Sequence, residues 1–158
     1  MESITAHFGA DHDRLDTLFS EFQSLKRKDP VAAKEKFKGF LRGLTRHIVW
    51  EEEVLFPLFE ERTGMKDSGP TAVMRQDHCR IMAHLDAIHD KVRIADPESD
   101  DSEKALLQIL GEHNMKEERI LYPAIDTGLD PAGLESVRKA MEAVPAKSFS
   151  CCGGAHSH

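Results

Sequence analysis

The sequence predicts an all-α chain: an antiparallel up-and-down four-helix bundle with a short fifth C-terminal helix and a flexible tail. Three observations predict it. Four helix-length stretches each carry one apolar stripe at spacings of three and four residues. No stretch of useful length alternates apolar and polar residues as a half-buried strand would. Residues 3–63 and 70–127 read as two helical hairpins that repeat one another at a displacement of 66 residues. Long helices with short connections and one stripe each bury those stripes by packing antiparallel around a shared core.

The first stretch, residues 3–28, sets Phe8, Leu15, Leu18, Phe19, Phe22 and Leu25 on one face, with His12 among them. Asp29 is a natural N-cap for the second stretch and Pro30 suits its first turn. That helix runs from about Pro30 to Thr63 and stops at Gly64. Its inner face reads Phe37, Phe40, Leu41, Leu44, His47, Ile48, Glu51, Leu55 and Leu58. Pro57 falls inside the pattern and predicts a kink or local break after Val54, because Pro removes a hydrogen bond and crowds the preceding turn. The third helix opens at Pro70 and reaches about Ile94, with Val73 or Met74, His78, Ile81, Leu85, Ile88 and Val92 inward.

The polar loop DPESDDS follows, with Ser102 as the expected cap of the fourth helix. That helix continues to about Thr127 and turns Leu106, Ile109, Leu110, His113, Glu117, Ile120, Leu121 and Ala124 inward. A short fifth helix begins after Asp130-Pro131, ends at Pro145 and has no counterpart in the repeat. Residues 1–145 therefore read as one domain, and residues 146–158 as a flexible tail containing Cys and His.

The repeat carries the chemistry. HIVWEEEVLFP at His47–Pro57 returns as HNMKEERILYP at His113–Pro123, and DHDRL at Asp11–Leu15 returns as DHCRI at Asp77–Ile81. One shift therefore maps His12 to His78, His47 to His113 and Glu51 to Glu117. His and Glu four residues apart stand one turn above the other on one helical face and can address one ion. A single His on an apolar stripe is most often a satisfied core residue. Six residues related by one shift are another matter, because two buried carboxylates need a compensating positive charge. Two metal ions supply it: His12, His47, His78 and His113 give each ion two nitrogens, and Glu51 and Glu117, each bridging, give it two oxygens. Even with an added oxo or hydroxo bridge, an octahedral ion keeps roughly one position open for a small ligand such as dioxygen, peroxide or nitric oxide. Mixed imidazole and carboxylate donors suit iron or manganese, with zinc also open.

On these residues the chain resembles the hemerythrin-like, or HHE cation-binding, domain, whose hallmark is a His on the first and third helices and His-x-x-x-Glu on the second and fourth. The resemblance covers about residues 5–127. It implies a four-helix bundle holding two iron ions in a non-haem centre, with His12, His47, Glu51, His78, His113 and Glu117 as metal ligands. It also implies a role among oxygen carriage or sensing, peroxide or nitric oxide chemistry, iron handling, and repair of damaged iron centres. The chain departs from the oxygen-carrying hemerythrins. Those have a fifth His one turn from the third-helix ligand, where this sequence has Met74 and Met82, and an Asp five residues after the last His, where this one has Glu117 four residues on. His84 lies about 120° round the helix from His78 and is a poor substitute. Reversible carriage is thereby disfavoured, and a more symmetric reactive or sensing site favoured. The open alternatives are an oxidoreductase acting on peroxide or nitric oxide, a non-catalytic sensor working through a partner, and an iron donor that repairs iron-sulfur centres.

Neighbouring residues have plainer readings beside the functional ones. Glu52 and Glu118 recur in both copies, either orienting ligands or simply solvated. Asp16, one turn after His12, reads as a metal ligand, as a carboxylate that orients a ligand, or as a surface carboxylate. Tyr122 follows the fourth-helix motif and reads either as a hydrogen-bond donor approaching the site or, favoured because its counterpart is Phe56, as a packing residue. Cys79 is expected to be a buried structural thiol, and His7, His84 and His89 surface or packing residues. In the tail, Cys151, Cys152, His156 and His158 form a cluster suited to metal capture, thiol exchange or a protein partner, against the reading of an inert end. A formal net charge of −7 with 31% charged residues argues against nucleic acid or an anionic membrane surface as main partner. The polar N-terminus, the absence of a spanning apolar run and only three cysteines point to a cytoplasmic protein, monomeric or homodimeric.

Overall fold

The computed structural model describes residues 1–149 and 151, and these form helices and connections with no strand. Helix α1 spans Ile4–Leu25 and is capped by Ser3, whose Oγ accepts from the Ala6 N–H at 2.9 Å. Helix α2 spans Pro30–Trp50, with Asp29 accepting from Ala32 N–H at 3.1 Å and Pro30 in the first turn, as the sequence predicts. The chain stays helical beyond Trp50. A π-helical turn at Glu51–Leu55 leads into α3, Phe56–Thr63, which ends at Gly64 in the left-handed region with φ 75°. Helix α4 spans Pro70–Arg93 and α5 Asp100–Lys116. A second π-helical turn, Glu117–Leu121, leads into α6, Tyr122–Thr127, before α7, Pro131–Ala143.

Two apolar clusters hold these helices together. One joins Leu15, Phe19 and Phe22 to Phe37, Phe40, Leu44, Ile81, Leu85, Leu106 and Leu110. The other joins Ile4 and Phe8 to Leu55, Phe56, Phe59, Met74, Leu121, Tyr122 and Ile125, with Val137 and Met141 of α7. The chain passes between them four times in alternating direction, along α1, α2, α4 and α5. His12, His47, His78 and His113 all fall between the clusters along their helices, in a polar layer with apolar material above and below.

Three details differ from the sequence reading. The break expected near Pro57 takes the form of the π-helical turn that precedes it, in both copies, with Phe56 N–H bonded to Glu51 O and Tyr122 N–H to Glu117 O. The wider turn shifts the phase of everything after it. Phe56 and Phe59 face inward where Leu58 was expected, and Tyr122 and Ile125 replace Ile120 and Ala124, which are exposed. The residue flanking α5 is Ser99 rather than Ser102, and its hydroxyl donates to Glu103 at 2.5 Å instead of accepting from the backbone.

Both ends of the assembly are tied by polar contacts. Asp126 accepts from the N–H groups of Ile4 and Thr5, at 2.7 and 3.0 Å, capping α1 from a distant helix. At the other end the buried Lys26 donates to Pro97 O at 2.7 Å and Glu103 at 2.6 Å, and pairs with Asp100. No helix among the described residues is long and apolar enough to cross a membrane.

Candidate metal centre

The phase of each helix decides what enters the polar layer. On α2 and α5 the i, i+4 spacing stacks His47 over Glu51 and His113 over Glu117, and the π-helical turns begin at the two glutamates. His12 and His78 arrive from α1 and α4. All six side chains are at most 4% exposed.

The imidazoles form two pairs. His12 and His47 have ring centroids 4.7 Å apart, and His78 and His113 4.9 Å apart. Each carboxylate reaches across both pairs. Glu51 Oε2 lies 3.4 Å from His47 Nε2 and Glu51 Oε1 3.0 Å from His78 Nε2. Glu117 Oε1 lies 3.2 Å from His12 Nε2, and Glu117 Oε2 3.3 Å from His113 Nε2. Potential ligand atoms of Glu51, His78, His113 and Glu117 fall within 4.8 Å of one another, as do those of His12, His47 and Glu117.

All four imidazoles are held from behind by an acid. Nδ1 of His12 is 2.7 Å from Glu118 Oε2, and Nδ1 of His78 is 2.6 Å from Glu52 Oε2. Nδ1 of His47 is 2.9 Å from Asp11 Oδ2, and Nδ1 of His113 is 3.0 Å from Asp77 Oδ2. An ionised carboxylate only accepts, so each Nδ1 carries the proton and each Nε2 faces the centre. Every acid sits on a different helical segment from the His it holds: His12–Glu118 and His78–Glu52 join the two hairpins, and His47–Asp11 and His113–Asp77 tie the two helices within each.

Electrostatics follow from this enclosure. Burial pulls the His47 pKa down, but the Glu51 charge and the hydrogen bonds to Asp11 and Glu51 outweigh it and raise it to about 10. His113 is likewise raised to about 10, against burial, by the Glu117 charge and by hydrogen bonds to Asp77 and Glu117. Burial would raise Asp11, yet its hydrogen bond and attraction to His47, with help from Arg14, hold it at about 2. Glu51 is held well below the usual carboxylate range, the pull of His47 overcoming its burial. The layer thus balances its carboxylates with protons on imidazole, the charge that a cation would otherwise supply.

One hydroxyl breaks the twofold likeness of the halves. Tyr122 OH lies 2.5 Å from Glu51 Oε2 and 2.9 Å from Glu117 Oε1, and within 3.3 Å of Nε2 of both His47 and His12. Burial, and then the charges of Glu117 and Glu51, push its pKa well above the ordinary value, so it remains a donor. Its counterpart Phe56 stacks on the His78 ring, centroids 5.7 Å apart. The packing role expected of Tyr122 is therefore incomplete: the ring packs in the apolar cluster while the hydroxyl enters the site.

The structure brings together all six residues singled out from the sequence. It also brings Glu52 and Glu118 behind two of them. Asp11 and Asp77 were missed as partners, although they stand beside His12 and His78 in the repeated DH dipeptide, a signal that could have found them. Asp16 makes no hydrogen bond to His12; it lines a cavity of about 490 Å³ between α1 and α5 that also exposes Glu118. Cys79 is half-buried and lies beside Cys151 rather than being a buried free thiol. Cys152, His156 and His158 lie outside the described residues.

A profile of the Hemerythrin HHE cation binding domain matches residues 3–125. The chain is similar to a DNA nickase from Nostoc sp., 28% identical over 144 residues that cover 91% of this chain and 39% of the nickase. It is also similar to the iron-sulfur cluster repair protein YtfE of Yersinia pestis and of Yersinia pseudotuberculosis, 32% identical over 59 residues, 37% of this chain and 27% of each relative. The matched segments span well under half the length of these relatives. No solved structure gives a significant match.

Proposed function

Because the chain belongs to the hemerythrin HHE cation-binding domain family, we propose that its polar layer holds two iron ions and that the centre binds or reacts with a small oxidant, dioxygen, peroxide or nitric oxide. The helices form an antiparallel up-and-down bundle in this reading. His12 and His47 would hold one ion, His78 and His113 the other, and Glu51 and Glu117 would supply the carboxylate oxygens. The observation that carries the reading is the pair of fully buried carboxylates spanning both imidazole pairs, with Glu117 Oε2 in no well-directed hydrogen bond although His113 Nε2 lies 3.3 Å away. Burying carboxylates costs free energy that a cation recovers. The donor set of four imidazole nitrogens and two carboxylates fits iron, with manganese or zinc less favoured.

Bound iron supplies variable oxidation state and a coordination position for the small ligand. The chain's own residues do the rest. Asp11, Asp77, Glu52 and Glu118 keep Nδ1 protonated and the rings aimed inward, which fixes the site before any ion arrives. The apolar clusters on either side exclude bulk water. The cavity between α1 and α5 is lined in part by Glu118, the partner of His12, and is the side from which a small ligand would approach. Tyr122 holds a proton at its hydroxyl beside Glu51 Oε2 and Glu117 Oε1, on the His12 and His47 side alone.

A second reading, iron donation for repair of iron-sulfur centres, is favoured by the likeness to YtfE. The likeness to a DNA nickase raises nucleic acid as a partner despite the net charge. Helix α2, with Lys34, Lys36, Lys38, Arg42 and Arg46 against the single acid Glu35, is the basic element that would meet it. Elemental analysis of the untagged protein, with optical spectra before and after peroxide, tests the main reading. Iron at about two per chain with a spectrum that responds to peroxide supports it; zinc, or no metal after reconstitution attempts, overturns it. Rapid loss of the peroxide identifies an enzyme, a stable adduct a sensor, and iron delivered to an apo iron-sulfur protein a donor.

A further inference from the structure

After α7, Lys147, Phe149 and Cys151 contact the helices. Lys147 pairs with Glu53 of the first π-helical turn. Phe149 packs against the larger apolar cluster and meets the His78 ring edge-on, centroids 6.1 Å apart. Cys151 then lies beside Cys79, the residue after His78, with Cα atoms 5.4 Å apart, a separation that a disulfide spans. We propose that Cys79 and Cys151 form a redox-active dithiol/disulfide site, whose oxidation clamps this segment over the His78 half of the metal centre and whose reduction releases it.

The clamp depends on the covalent link because little else holds the segment. Residues 145–148 are exposed. The Lys147–Glu53 pair joins two half-exposed side chains, and such surface pairs hold weakly. Phe149 is only half-buried. A segment with so few contacts opens locally at low cost once the bond is cut. Both cysteines are themselves half-buried, so a dithiol can reach the bond between them. The pair joins the segment after α7 to the neighbour of a proposed metal ligand. Oxidation by peroxide takes one hydrogen from each thiol, forms the S–S bond and yields two waters. Reduction by a dithiol reverses it: one thiolate attacks the disulfide, the mixed disulfide is resolved by the second thiol, and the two cysteines regain their protons.

The effect on the metal rests on the proposed function, whereas the clamp itself does not, and one experiment separates them. Full-length protein carrying Cys152→Ser keeps only the pair in question. Alkylation under denaturing conditions after mild peroxide should show two thiols lost, and both regained after a dithiol. Trypsin cleavage after Lys147 should be several-fold slower in the oxidised form. Iron loaded into the protein should be taken by a chelator several-fold more slowly from the oxidised form, with no redox difference in a Cys79→Ser variant. Phe149→Ala should speed chelation while the disulfide stays intact. Thiols that peroxide leaves free, or equal cleavage in both redox states, overturn the clamp. Normal switching with unchanged iron release overturns the covering of His78. A protein that holds no iron leaves the thiol and trypsin results to decide the clamp, and counts against the metal reading alone.

Discussion

At the scale of the residue, the centre is governed by who stands behind each imidazole. Replacing Asp11 or Asp77 by Asn keeps the shape but offers an amide where an obligate acceptor stood, so Nδ1 need no longer carry the proton. Metal affinity should fall about 10- to 100-fold, measured by competition with a chromophoric chelator. Asp16→Asn should leave affinity unchanged, since Asp16 touches no imidazole. His47→Ala or Glu117→Ala should remove about half of the bound metal or more, because in the proposed centre each His would serve one ion and each Glu both; full retention in both variants removes the proposed site. Tyr122→Phe makes the two halves chemically alike. It should keep its metal content while changing the optical spectrum and the reaction with peroxide, and a spectrum identical to the parent would return Tyr122 to packing alone. The sequence offered Tyr122 as a donor near the site but, with Phe56 as its counterpart, favoured packing; the structure gives it both roles.

At the scale of the element, the π-helical turns explain why a regular helical reading fails where it does. The residues up to Glu51 and Glu117 follow the 3.6-residue period and were read correctly. Beyond them one extra residue per turn shifts the inward face by about 100°. Deleting Val54 should make this turn regular α-helix with Phe56 and Phe59 still inward, since four α-helical residues subtend nearly the angle of five π-helical ones. Phe59→Ala, by contrast, removes a ring from the apolar cluster. The expected loss for that variant is the ~3–5 kcal/mol typical of removing one buried Phe, read by chemical denaturation. Asp126→Ala tests a quieter link, the capping of α1 by a side chain from α6. It should cost ~1 kcal/mol, a value typical of lost N-caps. No local pattern announces that cap, because its partners are 121 and 122 residues apart.

At the scale of the whole molecule, metal and protons compete for one polar layer. In the metal-free chain, His47 and His113 are raised to about 10, so their contribution to folding is complete below the unfolded value near 6.5 and is lost as pH rises toward 10. Asp11, held at about 2, contributes above the unfolded value near 3.8 and is lost as pH falls through 2. Metal binding must displace the imidazole protons, so affinity should rise with pH and calorimetry in buffers of different ionisation enthalpy should show proton release on loading. Removing metal should lower Tm, by an amount that grows with free metal over Kd: ~2.7 kcal/mol of stability at a hundredfold excess. An apo protein equal in Tm to the loaded one would mean that no ion is bound in the folded state.

The sequence by itself determined the helices up to their π-helical turns, the apolar stripes, and the six residues that gather in the polar layer. It could do so because periodicity and the 66-residue shift are local regularities written along the chain. Tertiary structure alone decided that Asp11 stands behind His47 and Asp77 behind His113, 36 residues away in each case. It alone decided that the Tyr122 hydroxyl turns into the site, and that Cys151 returns to Cys79 across 72 residues of chain. Contacts of that kind depend on the relative rotation of packed helices and the path of a connecting segment, and neither leaves a repeating mark in the order of residues.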